Sequence, residues 1–177
     1  MTVLPILIAP DRRLKAKCRP VDAVTDDVCA KLDDMLATMY DAPGIGLAAP
    51  QVGDDRRLVV IDVAREGEPP APLKLVNPEI AWTSDETTVM SEGCLSVPEI
   101  YYDVTRPVRI VAKFLDETGA AMEMEADGLL SRCIQHEIDH LNGVLFLDHV
   151  SMLKRNMALA KMKKLKAARA GKRAARA

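Results

Sequence analysis

His136 and His140 are two of only three histidines in the chain, and they stand four residues apart in Gln135-His136-Glu137-Ile138-Asp139-His140. On a helix that spacing projects both imidazoles from one face, roughly 6 Å apart along the axis at about 1.5 Å per residue. Both can bind one metal ion, and Glu137 between them can reach a water held by that ion. The chemistry such a set supports is the making of a nucleophile from water near neutral pH. A surface helix whose histidines and acids only face solvent would carry the same letters, so the rest of the chain has to decide.

A catalytic ion of this kind needs a third protein ligand. Downstream, His149 lies nine residues beyond His140 and precedes a basic tail without an acid. Upstream, Glu92-Gly93-Cys94-Leu95-Ser96 sets a thiol beside a glycine, where the open backbone suits close approach to an ion and a substrate. The residues by themselves leave both donors in play. A further stretch, Gly44-Ile45-Gly46-Leu47-Ala48-Ala49-Pro50-Gln51, concentrates two glycines and a proline into a shaped loop and brings the Gln51 amide as a donor. It lacks the Lys-Ser/Thr of a P-loop and the third glycine of a dinucleotide fingerprint, which argues against a phosphate cradle.

Taken together, Gly44 to Gln51, Glu92 to Ser96 and Gln135 to His140 resemble the three motifs of the peptide deformylase family, in order and at similar spacing. The resemblance runs from the first residues to about position 150. It implies an ion held by Cys94, His136 and His140, with Glu137 as general base and then acid. It also implies that the Gln51 side-chain amide and the Leu95 backbone N–H stabilise the oxyanion. The implied substrate is the N-formyl-methionyl end of a nascent peptide, whose formyl group leaves as formate. The peptide would lie extended along Gly44 to Gly46, with its methionine in an apolar pocket that includes Ile45, Leu129 and Cys133. A side chain at Gly46 would crowd the formyl end. Thiolate and two imidazoles suit zinc and ferrous iron alike. The resemblance implies Fe2+, one per chain, with Zn2+, Ni2+ or Co2+ as substitutes. Two positions depart from the common family pattern. Tyr101 stands where an arginine often helps bind the peptide, and Arg132 stands where an apolar residue is common at the pocket mouth. Both bear on affinity and on preference beyond the first residue, not on the chemistry. Two readings from other classes compete: an HExxH zinc endopeptidase with a downstream ligand, and a ribosome-binding module with a structural metal.

The elements that must position these groups can be read from periodicity. Leu129, Leu130, Cys133, Ile134, Leu141 and the motif residues recur at three- and four-residue intervals, with Asp127 as an N-cap and Gly143 as a left-handed stop. Thr25 to Tyr40 predicts an amphipathic helix, with Val28, Leu32, Met35, Leu36 and Met39 on its apolar side. Asp11 to Lys17 predicts a short helix. Arg57 to Val63, Leu73 to Ile80, Thr87 to Glu92, Val108 to Phe114 and, more weakly, Met122 to Glu125 read as strands. Glu66 to Pro72 reads as a turn-rich loop within one domain. Strands in the middle with helices at both ends predict an α+β fold, with antiparallel β-sheets packed around the motif helix. Glu92 reads as structural or as a partner of a ligand, Asp139 as orienting or solvated, Cys133 as pocket wall, and His149 as a surface or capping residue.

Length and composition agree with one enzyme-sized domain: 177 residues, 49% apolar and 28% charged. The start lacks a signal or transit peptide pattern, no run suggests a membrane span, and four cysteines show no scaffold spacing. These point to the cytoplasm, with neither membrane nor DNA as partner. Charge divides the chain at about residue 153. Residues 154–177 hold ten Lys or Arg and no acid, which leaves 14 basic against 26 acidic side chains in the rest, a net of −12. The chain therefore divides into a catalytic unit, 1–150, and a basic C-terminal helix and tail, 151–177. Ser151 caps a helix over 151–168, which frays after Gly171. That tail suits contact with RNA phosphates, although a solvated helix would have the same composition. The family resemblance implies docking on the ribosome near the exit of the nascent chain.

Overall fold

Four consecutive apolar residues, Leu58, Val59, Val60 and Ile61, form a strand buried along its whole length. Such a run needs cover on both faces. The cover is two helices. Leu58 and Val60 join Val28, Leu32, Met35 and Met39 in one core cluster, while Val59 and Ile61 join Cys133, Ile134, Ile138 and Leu141 in another. The structure is a computed structural model. It describes residues 1–65 and 67–174, with side chains described through 168. Glu66, the first residue of the expected turn-rich loop, and Arg176 of the basic tail lie outside the described residues.

In chain order, α1 (Asp26–Asp41) is followed by β1 (Gly46–Ala48), β2 (Leu58–Ile61), β3 (Leu73–Thr83), β4 (Thr87–Cys94), β5 (Val97–Pro107), β6 (Ile110–Leu115) and β7 (Ala121–Ala126). Helices α2 (Gly128–Leu141) and α3 (Met152–Ala174) complete the chain. Strands β1-β2-β3-β6-β7 form one five-stranded sheet, paired antiparallel throughout, and β4-β5 form a separate two-stranded hairpin. The sheet lies between α1 and α2. The hairpin packs through Val97, Ile100 and Val104 against Leu14, Phe146 and the buried Ala158 and Met162 of α3. The expected α+β architecture, with antiparallel sheets around the motif helix, is the one observed.

The elements differ from the sequence expectation in four places. Strand β5, eleven residues long, has no counterpart there. It contains Pro98 and Pro107, and Glu99 adopts φ 60°, so the alternation breaks between the buried Val97 and Ile100 and resumes only from Ile100 to Arg106, where a tyrosine and an arginine take inward positions. Strand β1 hides in the glycine-rich loop because it is only three residues long. The first expected helix is a single 3₁₀ turn, Arg12–Lys15. Helix α3 continues past Gly171 to Ala174, because a run rich in Ala, Lys and Arg outweighs the roughly 1 kcal/mol helix penalty of one glycine.

Candidate metal centre

Helix α2 is buried on two sides, which explains a polar stripe no surface helix would bury. Cys133, Ile134, Ile138 and Leu141 meet the sheet, while Arg132, Gln135, His136 and Glu137 are also buried. Gly143 releases the chain with φ +74°, and a Cβ there would stand 2.5 Å from the Lys15 carbonyl oxygen. The helix end is therefore fixed against the N-terminal segment by a position only glycine can fill.

Cys94 is the last residue of β4, and its Sγ lies 3.2 Å from His140 Nε2. Donor atoms of Cys94, His136 and His140 all fall within 4.8 Å of one another. His136 Nδ1 faces Glu92 Oε2 at 3.0 Å, which leaves the other ring nitrogen as the ligand atom. Glu92 in turn accepts from Arg106 Nε at 2.6 Å and Nη2 at 3.0 Å, and from Arg132 Nη1 at 2.6 Å. Burial alone would raise the Glu92 carboxyl, but the bonds from His136 and Arg106 hold it well below its usual range. It is an anion that orients an imidazole.

Glu137 sits beside this set and is buried, and its Oε2 has no hydrogen-bond partner. Burial pushes its carboxyl up to about 7, the range in which a group both takes and returns protons near neutrality. Burial also lowers His140 toward the neutral imidazole that a ligand must be, whereas at His136 burial is outweighed by the hydrogen bonds with Cys94 and Glu92, which raise it. Gln51 Nε2 lies 3.5 Å from Cys94 Sγ and 3.2 Å from Ser96 Oγ, while its Oε1 accepts from Ala48 N at 2.8 Å. An ordered amide thus points at the thiol. A thiolate, two imidazoles and an unpartnered carboxylate oxygen fit a divalent ion with borderline-soft preferences, and the residues present suit it.

All the expected site residues but one line a single cavity of about 470 Å3: Gly44, Ile45, Gly46, Gln51, Cys94, Leu95, Leu129, Cys133, His136 and Glu137. His140 lies behind it, 1% exposed. Ile45 and Leu129 are partly exposed at the mouth, and Cys133 is buried. A Cβ on Gly46 would collide with the Glu137 carboxylate and stand 2.7 Å from Cys133 Sγ, so this glycine keeps the base free. His149 does not join the cluster; its Nε2 meets Asp139 Oδ2 at 2.8 Å. Asp139 also accepts from Arg106 Nη1 at 2.9 Å, so its expected orienting role acts through arginine. Arg132 does not open to the pocket mouth as its sequence position suggests. It borders the cavity, but it is only 5% exposed, with its guanidinium committed to Glu92 and to backbone carbonyls rather than to the mouth. Arg106 was missed altogether. It belongs to a strand the sequence did not reveal, and no motif marks a lone arginine there.

An open Cys-His-His set with a buried carboxylate on an α+β scaffold has the form of a mononuclear metallohydrolase site. The family model for polypeptide deformylase matches residues 3–156, and the chain belongs to that family. A peptide deformylase of Mesorhizobium japonicum is 53% identical over 165 residues, covering 93% of this chain and 94% of its own. One from Brucella suis is 51% identical over 173 residues, covering 98% and 99%. Among solved structures, peptide deformylase from Ehrlichia chaffeensis superposes with a TM-score of 0.90 at 40% identity, covering 94% of this chain and 98% of that one. A structure of that organism's enzyme in complex with actinonin gives a TM-score of 0.89 at 42% identity, covering 93% and 98%.

Proposed function

We propose that this chain is a metal-dependent hydrolase that removes the formyl group from the N-terminal formyl-methionine of newly made polypeptides and releases formate. The observation that carries the reading is the Cys94, His136 and His140 donor set with the buried, unpartnered Glu137 carboxylate beside it. Those three side chains would hold the ion. Bound there, a divalent cation acidifies water and draws charge from the formyl carbonyl. Glu137 takes the proton of the attacking water and returns it to the departing amine, a task suited to a carboxyl raised to about 7. The Gln51 amide and the Leu95 N–H are the donors for the oxyanion, worth about 3 kcal/mol each in the barrier. Edge strand β1 and the preceding Gly44 and Ile45 offer a rail for an extended peptide, with Ile45, Leu129 and Cys133 about the methionine side chain.

Fe2+ is the ion we assign to the site in the cell, with Zn2+, Ni2+ or Co2+ able to replace it. Residues 1–150 are the catalytic unit, and 151–177 carry a basic face for ribosomal RNA near the nascent-chain exit. A cytoplasmic site of action accords with that role, and among the described residues no helix is long and apolar enough to cross a membrane.

Product analysis on a formyl-methionyl tripeptide tests the reaction class. The expected products are formate and the otherwise intact tripeptide with a free amine. Cuts at internal peptide bonds, with the formyl group retained, would instead establish the endopeptidase reading of the HExxH helix.

A further inference from the structure

The three metal ligands come from two pieces of the fold that share no strand pairing. Cys94 ends β4 in the two-stranded hairpin, whereas His136 and His140 belong to α2, which packs on the five-stranded sheet. Something must fix the thiol relative to the imidazoles within a few tenths of an ångström, because ligand distances tolerate little more. The Gln51 amide beside Cys94 and Ser96 is one tie, and side chains that cross from α2 to the hairpin are the others. Gln135 Nε2 donates to Pro107 O at 3.0 Å, and His136 Nδ1 meets Glu92. Arg132 does more. Its Nη1 donates to Glu92 Oε1 at 2.6 Å and to Val104 O at 3.0 Å, and its Nη2 donates to Thr88 O at 2.9 Å. Among the described residues it is the one α2 side chain that grips both strands of the hairpin.

We propose that Arg132 is a positioning residue for the metal centre, a clasp that sets Cys94 against His136 and His140. The inference rests on the metal-centre reading of those three residues. A planar guanidinium holds several acceptors in a fixed relative geometry, which a lysine ammonium on a flexible stem does not. The acceptors here are a carboxylate two residues before Cys94 and carbonyls on β4 and β5, so the grip is on the piece that carries the thiol. Glu92 is shared: Arg106 holds it from the hairpin side, Arg132 from the helix side, and His136 hydrogen-bonds to its other oxygen. The one Arg132 donor without a partner, Nε, is closed to solvent. The group is thus spent on the hairpin and is not offered to a bound peptide.

Co2+ added to the metal-depleted protein reads this directly, because the ion reports thiolate ligation by a charge-transfer band and its affinity follows from competition with a chromophoric chelator. Arg132→Met is expected to weaken Co2+ binding by about 10-fold, the lower end of the range for direct partners of metal ligands because Arg132 acts through Glu92, and to diminish the thiolate band at equal occupancy. Arg132→Lys should fall between the two, since it keeps the charge and loses the three-way grip. Leu75→Ala, a core truncation in the five-stranded sheet, should lower stability while leaving affinity and band as in the parent. Unchanged affinity and band in both Arg132 variants would overturn the proposal, and so would an equal loss in Leu75→Ala. If Arg132→Met does not fold, Arg132→Lys decides alone by the same two readouts. A parent protein without any thiolate band would instead bring down the metal-centre reading itself.

Discussion

Gly46 shows how little room surrounds the base. Its missing side chain leaves space that the Glu137 carboxylate and Cys133 sulfur otherwise fill. Gly46→Ala should therefore displace Glu137 and lower kcat by about 100-fold, the usual penalty for a misplacement near 1 Å, while the ion content stays unchanged. Steady-state kinetics with metal analysis on one preparation checks this, and an alanine variant with full turnover would show that the carboxylate has freedom the packing does not suggest. Glu92 gives a pH prediction. Its folded carboxyl lies below its ordinary value of 4.5, so the stability it contributes is present above that pH and is lost as pH falls through the folded value. The stability gap between the metal-free parent and Glu92→Gln should be widest near neutrality and shrink below about pH 4.5, as urea midpoints would register. A constant gap would contradict the assignment of Glu92 as a buried anion. At this scale the sequence was informative wherever a motif fixed local spacing: His136, Glu137 and His140 share one helix, and Cys94 follows Glu92 by two residues. Arg106 and the true place of Arg132 were not legible, because their partners lie across long-range pairings that single-residue patterns do not encode.

Among the elements, α3 has two faces with different tasks. Ala158 and Met162 are buried against the hairpin and Phe146, so removal of the whole tail would strip cover from the hairpin core. Lys161 reaches the Glu99 carbonyl, Arg155 pairs with Asp148 and Lys166 lies 3.8 Å from Asp11, while among the described residues Lys163 and Lys164 form no ion pair. Charge reversal of Lys163 and Lys164 to glutamate is the cleaner test. It should leave hydrolysis of short formyl peptides within about two-fold and reduce co-sedimentation with ribosomes, with parent binding falling steeply as salt rises. Unchanged co-sedimentation with the fold intact would leave α3 as a solvated helix. Composition located α3, while periodicity located α1, α2, β2 and β6, each of which has one or two consistently buried faces. Periodicity failed at β5, where the left-handed Glu99 interrupts the alternation after Val97 and the inward positions that follow include Tyr102 and Arg106. It failed again at β1, which is too short to show a period.

Over the whole molecule, the ion would join a hairpin to a helix that belongs to a different sheet, so its removal should loosen the fold as well as silence it. An ion held at about 1,000 times its dissociation constant adds about 4 kcal/mol, which for a chain of this size is on the order of 10 °C in Tm. Calorimetry before and after chelation should show that loss and its recovery on adding the ion back; equal Tm values would mean that the site contributes nothing to the fold. The charge division acts on this scale too. A body of net −12 is repelled by nucleic acid, so the RNA contact we propose falls to the basic tail. The central claim, that Cys94, His136 and His140 hold one ion for which Glu137 moves the proton, is tested most directly by anaerobic titration of the metal-depleted protein with Fe2+ while formate release from a formyl-methionyl peptide is followed. Turnover should rise in proportion to the ion and level off at one per chain, and Glu137→Ala loaded to the same occupancy should be slower by about 100-fold or more. Formate release at full rate without the ion, or undiminished turnover in loaded Glu137→Ala, would contradict it.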